Sequence, residues 1–96
     1  MTIRIRLKYF GSFREITEIF EEIVMLNNNA ILNDLFLILI SRYGKRMRTY
    51  ILSDDLKIPP LINVMVNGHN VAKDKGADTV LQNDDLVLLM PHISGG

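Results

Sequence analysis

Residues 2–10 alternate between apolar and polar side chains, and this pattern constrains the fold more than any other segment. Four apolar residues occupy the odd positions from Ile3 to Tyr9, and polar residues occupy the even positions from Thr2 to Lys8. A repeat of two predicts a β-strand with one buried face and one face in water. Gly11 and Ser12 then end the strand.

Further elements follow in an order that indicates the fold class. In chain order we predict a strand at 19–26 joined to the first by a loose hairpin loop, a helix at 30–43, a short helical turn at 46–52, and strands at 61–67, 70–72 and 86–90. The Asn27–Asn29 run is expected to supply the helix N-cap and Gly44 its end. The apolar stripe of the helix consists of Leu32, Leu35, Phe36, Leu39 and Tyr43.

A helix lying across one face of a mixed sheet satisfies this order of elements. The predicted fold is therefore α+β of the β-grasp, ubiquitin-like type, with the first and last strands side by side in the middle of the sheet. We expect residues 1–96 to form one such domain, with a flexible C-terminal tail from about residue 91 to residue 96.

Composition limits the classes of function. A chain of 96 residues has little room for both a core and a deep catalytic cleft, which favours a carrier or subunit over an enzyme. Eleven basic residues balance eleven acidic ones, so no nucleic-acid partner is expected, and Arg4, Arg6 and Lys8 read best as a solvated strand face. The chain has no signal-peptide pattern, and its longest apolar run, residues 35–40, is too short to span a bilayer. We expect a soluble cytoplasmic protein without a membrane partner.

The chain has no cysteine, which excludes disulfides, thiolate catalysis and cysteine metal sites. No pair of histidine and carboxylate residues has the spacing of a metal site, and no glycine-rich phosphate loop is present. The expectation is that the chain itself binds no metal or cofactor.

Gly95 and Gly96 are the last two residues of the sequence and carry its most suggestive chemistry. A terminal carboxylate is a poor acyl donor until ATP converts it to a mixed anhydride with AMP, which a sulfur or nitrogen nucleophile then attacks. Glycine has no Cβ, so a two-glycine end suits a narrow channel in an activating enzyme. An idle frayed end is the alternative interpretation of this pair.

Three segments resemble the molybdopterin synthase small subunit and its ubiquitin-like sulfur-carrier relatives. They are residues 7–15 (LKYFGSFRE), residues 63–68 (NVMVNG) and residues 90–96 (MPHISGG). They lie in the order found in that family, although His92 stands where the family usually has a second proline.

The resemblance implies a sulfur carrier rather than an enzyme. Gly96 would be adenylated by a ubiquitin-activating-type adenylyltransferase that uses ATP, and would then be converted to a thiocarboxylate. The tail would enter the large subunit of molybdopterin synthase and donate sulfur in molybdenum cofactor biosynthesis. Sulfur carried on the terminal carbonyl group also agrees with the missing cysteine.

Partner contacts are expected on the sheet face opposite the helix and on the tail. The candidate residues are Phe10, Phe13, Met65, Val87, Leu89, Pro91, His92, Ile93 and Ser94. Two points stay open at this stage. Phe10 and Phe13 are either core or interface residues, and residues 45–61 are a candidate cover for the second sheet face. His92 is also a minor candidate for a proton acceptor.

Two other functions of the same tail stay open on sequence alone. A protein modifier would form an isopeptide when a lysine amine attacks the activated Gly96. A thiamine-pathway sulfur carrier would share the fold and both glycines, although the tail with Pro91 resembles the molybdopterin branch better. An interaction domain with an incidental Gly-Gly end is the remaining alternative.

Overall fold

A computed structural model describes residues 1–52 and 57–91, and within them one mixed sheet is covered on one face by helices. The elements in chain order are β1 (Thr2–Tyr9), α1 (Ser12–Thr17), β2 (Glu21–Asn27), α2 (Leu32–Tyr43), α3 (Lys45–Ile51), β3 (Ile62–Val66), β4 (His69–Asn70), a 3₁₀ turn (Gly76–Asp78) and β5 (Leu86–Pro91). The predicted β-grasp fold is confirmed.

The sheet order is β2-β1-β5-β3-β4, which places the first and last strands at its centre as predicted. β1 runs parallel to β5 and antiparallel to β2, and β3 runs antiparallel to both β4 and β5. Parallel neighbours need a long crossover connection, and here the segment between β1 and β5 supplies it. The C-terminal end of β5 therefore lies beside the C-terminal end of β1.

The core lies between the sheet and α2. Ile5, Leu7 and Tyr9 of β1 are almost fully buried, while the polar side chains between them remain exposed. The predicted stripe on α2 faces them: Leu32, Leu35, Phe36 and Leu39 are all fully buried, and Tyr43 is half-buried.

α3 forms where the sequence predicts a helical turn, and it packs into the same core. Met47 and Ile51 are fully buried and Leu52 is nearly so, in one cluster with the inward residues of β1 and β5. Residues 45–52 therefore lie on the helix side of the sheet. The alternative in which they cover the opposite face is wrong for this part of the 45–61 segment.

Two local predictions are also wrong. The connection between β1 and β2 is not a simple loose loop, because it contains α1. The N-cap of α2 is Ile31 rather than an asparagine, and the Ile31 amide donates to Oδ2 of Asp34 at 2.9 Å. A carboxylate at the third helical position satisfies a free amide there and also lies favourably in the helix dipole.

Candidate functional site

The tail carries the chemistry expected from the sequence, and its residues His92, Ile93, Ser94, Gly95 and Gly96 lie outside the described part of the chain. Pro91, at the end of β5, is the last residue that the structure describes. The site can therefore be built from two features around Pro91: the sheet face that the described residues leave uncovered, and the turn against which Pro91 packs.

The sheet face that residues 1–52 and 57–91 leave uncovered carries a central apolar patch. Register places Lys8 of β1 beside Leu88 of β5, and Leu88 beside Met65 of β3. Leu86, Leu88 and Met90 alternate with the buried residues of β5, and all three are half-buried, as is Met65. We call Met65, Leu86, Leu88 and Met90 the open-face patch.

This patch has basic side chains along one flank. Arg6 is paired with Leu86 in the sheet register, and Lys8 is paired with Leu88. Both basic residues are exposed. Arg6 donates from Nη2 to the Asp84 carbonyl at 3.1 Å. An apolar centre beside positive charge is typical of a protein interface.

Three predicted partner residues lie in the core instead. Phe13, Val87 and Leu89 are fully buried. Val87 and Leu89 face the helix side because they pair with Leu7 and Tyr9, which are buried there. The structure therefore places these three side chains in the core and not on the face where partner contacts were expected, and for Phe13 it favours the core alternative. Met65 lies on the expected face, and its role in partner binding stays a prediction.

The turn after β1 meets the end of β5. The Phe10 amide donates to the Leu89 carbonyl at 3.0 Å, and the Phe10 carbonyl accepts from the Phe13 amide at 3.1 Å. Gly11 has φ 54° and ψ −127°, a conformation that L-residues other than glycine rarely adopt. Phe10 itself is 43% exposed and half-buried Pro91 lies close by, so both remain candidates for partner contact.

A polar cluster around Glu22 ties the sheet to α2. The Tyr9 hydroxyl donates to Oε2 of Glu22, and the Tyr43 hydroxyl donates to the same oxygen at 2.5 Å. Arg42 donates to Oε1 at 2.9 Å. Burial, and then the adjacent carboxylate, raises the pKa of Tyr9 above its ordinary value, and the same causes raise the pKa of Tyr43 to about 12. Both phenols therefore stay protonated, which suits a structural role better than acid–base chemistry.

The other polar groups form surface contacts. Arg4 and Asp84 form an ion pair at 2.5 Å in which both side chains are about half exposed. His69 lies 3.3 Å from Asp74 at an exposed position. Within residues 1–52 and 57–91, no group of histidine, aspartate and glutamate residues has the arrangement of a metal site. In the same part of the chain, no helix is long and apolar enough to cross a membrane.

Comparison with known proteins identifies the family. The family model described as "ThiS family" matches residues 7–96, which is almost the whole chain. The chain belongs to the ThiS family. The match begins within β1 and continues to the final Gly96, so most of the described domain and the whole tail fall inside it.

Two relatives of this ThiS-family chain have names of small carrier or modifier proteins. A protein of Archaeoglobus fulgidus named "Putative sulfur carrier protein" is 34% identical over 64 residues, which cover 67% of this chain and 72% of the relative. "Small archaeal modifier protein 3" of Haloferax volcanii is 27% identical over 94 residues, which cover 98% of this chain and all of the relative.

A solved structure agrees with the fold over nearly the whole chain. The solution structure of the Haloferax volcanii HVO 2177 protein superposes with a TM-score of 0.83 at 27% identity, covering 99% of this ThiS-family chain and 88% of that one. The family and the fold are therefore consistent with each other.

Sequence reasoning missed two features of this site. Glu22 was not singled out, because its partners are separated from it by 13 and by about 20 residues, with no periodic pattern. Gly11 was interpreted only as the end of a strand. The predicted adjacency of β1 and β5 is the one signal that could have indicated a close contact between Gly11 and Pro91.

Proposed function

We propose that this chain is a sulfur carrier that is activated at the carboxylate of Gly96. The observation that carries the proposal is the Gly95–Gly96 end of a ThiS-family chain that contains no cysteine. Sulfur must then be carried by a group other than a thiol, and the terminal carboxyl group is the one that activation chemistry can reach.

The chemistry takes two steps on a partner adenylyltransferase. The Gly96 carboxylate attacks the α-phosphorus of ATP, which forms an acyl adenylate and releases pyrophosphate. A hydrosulfide equivalent then attacks the acyl carbon, AMP leaves with the carbon–oxygen bonding pair, and a thiocarboxylate remains. No side chain of the carrier takes part in either bond change, so the carrier contributes its shape and the position of its tail.

The open-face patch supports a docking role for the domain. Met65, Leu88 and Met90 are half-buried apolar side chains on a face that the described helices leave uncovered, and Lys8 lies beside them. A partner that covered this face would bury apolar area and face positive charge on one flank. We propose that the activating enzyme binds here and receives the tail from the adjoining end of β5.

Activation is tested by ATP–pyrophosphate exchange with purified chain and the ubiquitin-activating-type enzyme of the same cells. We expect exchange with the full chain and none after deletion of Gly96, while the circular dichroism spectrum and the melting temperature stay unchanged. Exchange by the truncated chain at the rate of the full chain would contradict activation at Gly96.

The finer proposal is that the chain serves as the small subunit of molybdopterin synthase. It is supported by the resemblance of residues 7–15, 63–68 and 90–96 to that family. The thiocarboxylate would enter the large subunit and pass its sulfur to a pterin precursor, and hydrolysis would regenerate the Gly96 carboxylate. Chemically prepared thiocarboxylate, mixed with the large subunit and precursor, should yield the dithiolene product, whereas the carboxylate form should yield none.

Protein modification is the second candidate, and one observation favours it. The relative that aligns with 98% of this chain is named a modifier protein. In that case a lysine amine, instead of sulfur, attacks the activated Gly96. Isolation of the tagged chain under denaturing conditions, followed by peptide mapping, would detect Gly96 linked to lysine side chains of other proteins.

A further inference from the structure

Pro91 ends the pairing between β1 and β5 for a chemical reason. In this parallel pair the amide of Phe10 donates to Leu89, so the residue at position 91 would donate its own amide to the Phe10 carbonyl. Proline has no amide hydrogen, and the Phe10 carbonyl accepts from Phe13 instead. The ladder between β1 and β5 therefore stops before Pro91, which stays paired with Ile62 of β3 on its other side, and on the β1 side only a side-chain contact can fix its position.

Gly11 supplies the surface against which the proline ring packs. A Cβ placed on Gly11 would lie 2.6 Å from Cγ and 2.9 Å from Cδ of Pro91. Carbon atoms that are not bonded to each other do not approach this closely, so any side chain at position 11 would displace the Pro91 ring. The turn between β1 and α1 therefore has room for the Pro91 ring only because residue 11 has no side chain.

The contact lies at the last described residue of β5. Pro91 is the residue from which the chain continues to Gly95 and Gly96, and proline fixes its own φ near −65°. The contact with Gly11 and the fixed φ hold the ring of Pro91 in one place, so the point from which the chain continues toward Gly96 is fixed relative to the domain. Reaction at a terminal carboxylate depends on where that point lies against the docked enzyme, because a misplacement of about 1 Å can cost a factor of about 100 in rate.

We infer that Gly11 and Pro91 form a positioning contact that directs the C-terminal segment into the site of the activating enzyme. The inference rests on the proposed activation of Gly96. Neither residue touches the reacting atoms, and both act through the position of the chain at residue 91.

Gly44 provides a matched control for the backbone. Its φ of 81° and ψ of −157° are also unfavourable for residues other than glycine, but nothing lies within 4 Å of a Cβ placed there. Gly11→Ala and Gly44→Ala therefore both introduce backbone strain, while only the first pushes on Pro91. A difference between them in activation, at similar loss of stability, isolates the contact from general destabilisation.

The test is the rate of ATP–pyrophosphate exchange as a function of carrier concentration, measured well below the melting temperature of every variant. Gly11→Ala should lower kcat about tenfold with little change in KM, because the docking face is intact while the carboxylate is misplaced. Gly44→Ala should keep the wild-type kcat and KM. Equal kcat values for the two glycine variants would overturn the inference.

Pro91→Ala gives a second test that does not depend on strain at residue 11. It removes both ring carbons that contact Gly11 and frees φ, and the restored amide meets a Phe10 carbonyl that already accepts from Phe13, so kcat should fall about threefold while the unfolding free energy changes little. In the Gly11→Ala/Pro91→Ala double variant the clash is absent, and kcat should return to the value of Pro91→Ala alone. Wild-type kcat in Pro91→Ala, or independent effects of the two substitutions, would contradict the positioning contact. Loss of exchange in the wild-type chain would instead contradict the proposed function.

Discussion

The Glu22 cluster allows a stability prediction worked from its individual contacts. Glu22→Ala removes the acceptor of two phenol hydroxyls and the partner of Arg42. The Tyr9 side chain is fully buried, and leaving its hydroxyl unpaired costs about 2 kcal/mol. The half-buried Tyr43 hydroxyl can reach water, so its loss is about 1 kcal/mol, and the Arg42 pair is worth under about 1 kcal/mol.

We therefore expect Glu22→Ala to lower the free energy of unfolding by about 3 kcal/mol, measured by urea denaturation with an unchanged slope. Glu21→Ala is the matched control, because Glu21 precedes Glu22 on the same strand and is exposed. Its expected cost is under about 0.5 kcal/mol. In a Tyr9→Phe background Glu22→Ala should cost about 2 kcal/mol less, since no buried hydroxyl is left unpaired. Similar losses for Glu21→Ala and Glu22→Ala would refute the reasoning.

Three further predictions concern pH, the two sheet faces and the surface charges. Tyr43 holds its proton up to a pKa of about 12 in the folded chain, so stability should fall as pH rises from the ordinary tyrosine value near 10 toward 12, and Tyr43→Phe should make that fall shallower in pH-dependent urea melts. Leu89→Ala should cost about 3 kcal/mol in unfolding free energy, whereas the half-buried Leu88→Ala should cost about 1 kcal/mol yet weaken binding to the activating enzyme, as measured by calorimetry. Equal costs for the two leucines would contradict the assignment of faces. Asp84→Ala should lose under about 1 kcal/mol, and the loss should shrink in high salt because the Arg4–Asp84 pair is exposed.

The fold was predictable where one periodic pattern dominated. The alternation of β1 and the stripe on α2 each have a single interpretation, and they place the core correctly. Both the odd and the even positions of β5 are apolar, so periodicity alone does not identify its buried face. The prediction placed Val87 and Leu89 on the sheet face opposite the helix, whereas both are buried in the core. A central strand of this kind is distinguished only by the register with its neighbours.

The remaining errors arise from short or non-local features. α1 spans only Ser12–Thr17, which is too short for a helical repeat to be visible in the sequence. The three asparagines before α2 suggested an N-cap. The helix begins later, at Leu32, and the Asp34 carboxylate accepts the hydrogen bond from the amide of the N-cap residue Ile31. The Gly11–Pro91 contact joins residues 80 positions apart through the parallel pairing of β1 with β5, so no local signal reveals it.

The most direct test of the central claim is the intact mass of the chain isolated from its native cells, followed by fragmentation to locate any modification. Oxidation of any of the five methionines adds nearly the same mass as exchange of oxygen for sulfur, so only localisation distinguishes them. Trapping the thiocarboxylate with an alkylating reagent at lysis would protect it from hydrolysis, and with no cysteine in the chain the reagent has no competing thiol there. A sulfur carrier that is activated at Gly96 should give a trapped adduct on that residue. Under trapping conditions that capture a synthetic thiocarboxylate standard, a Gly96 that carries no sulfur would contradict the carrier role.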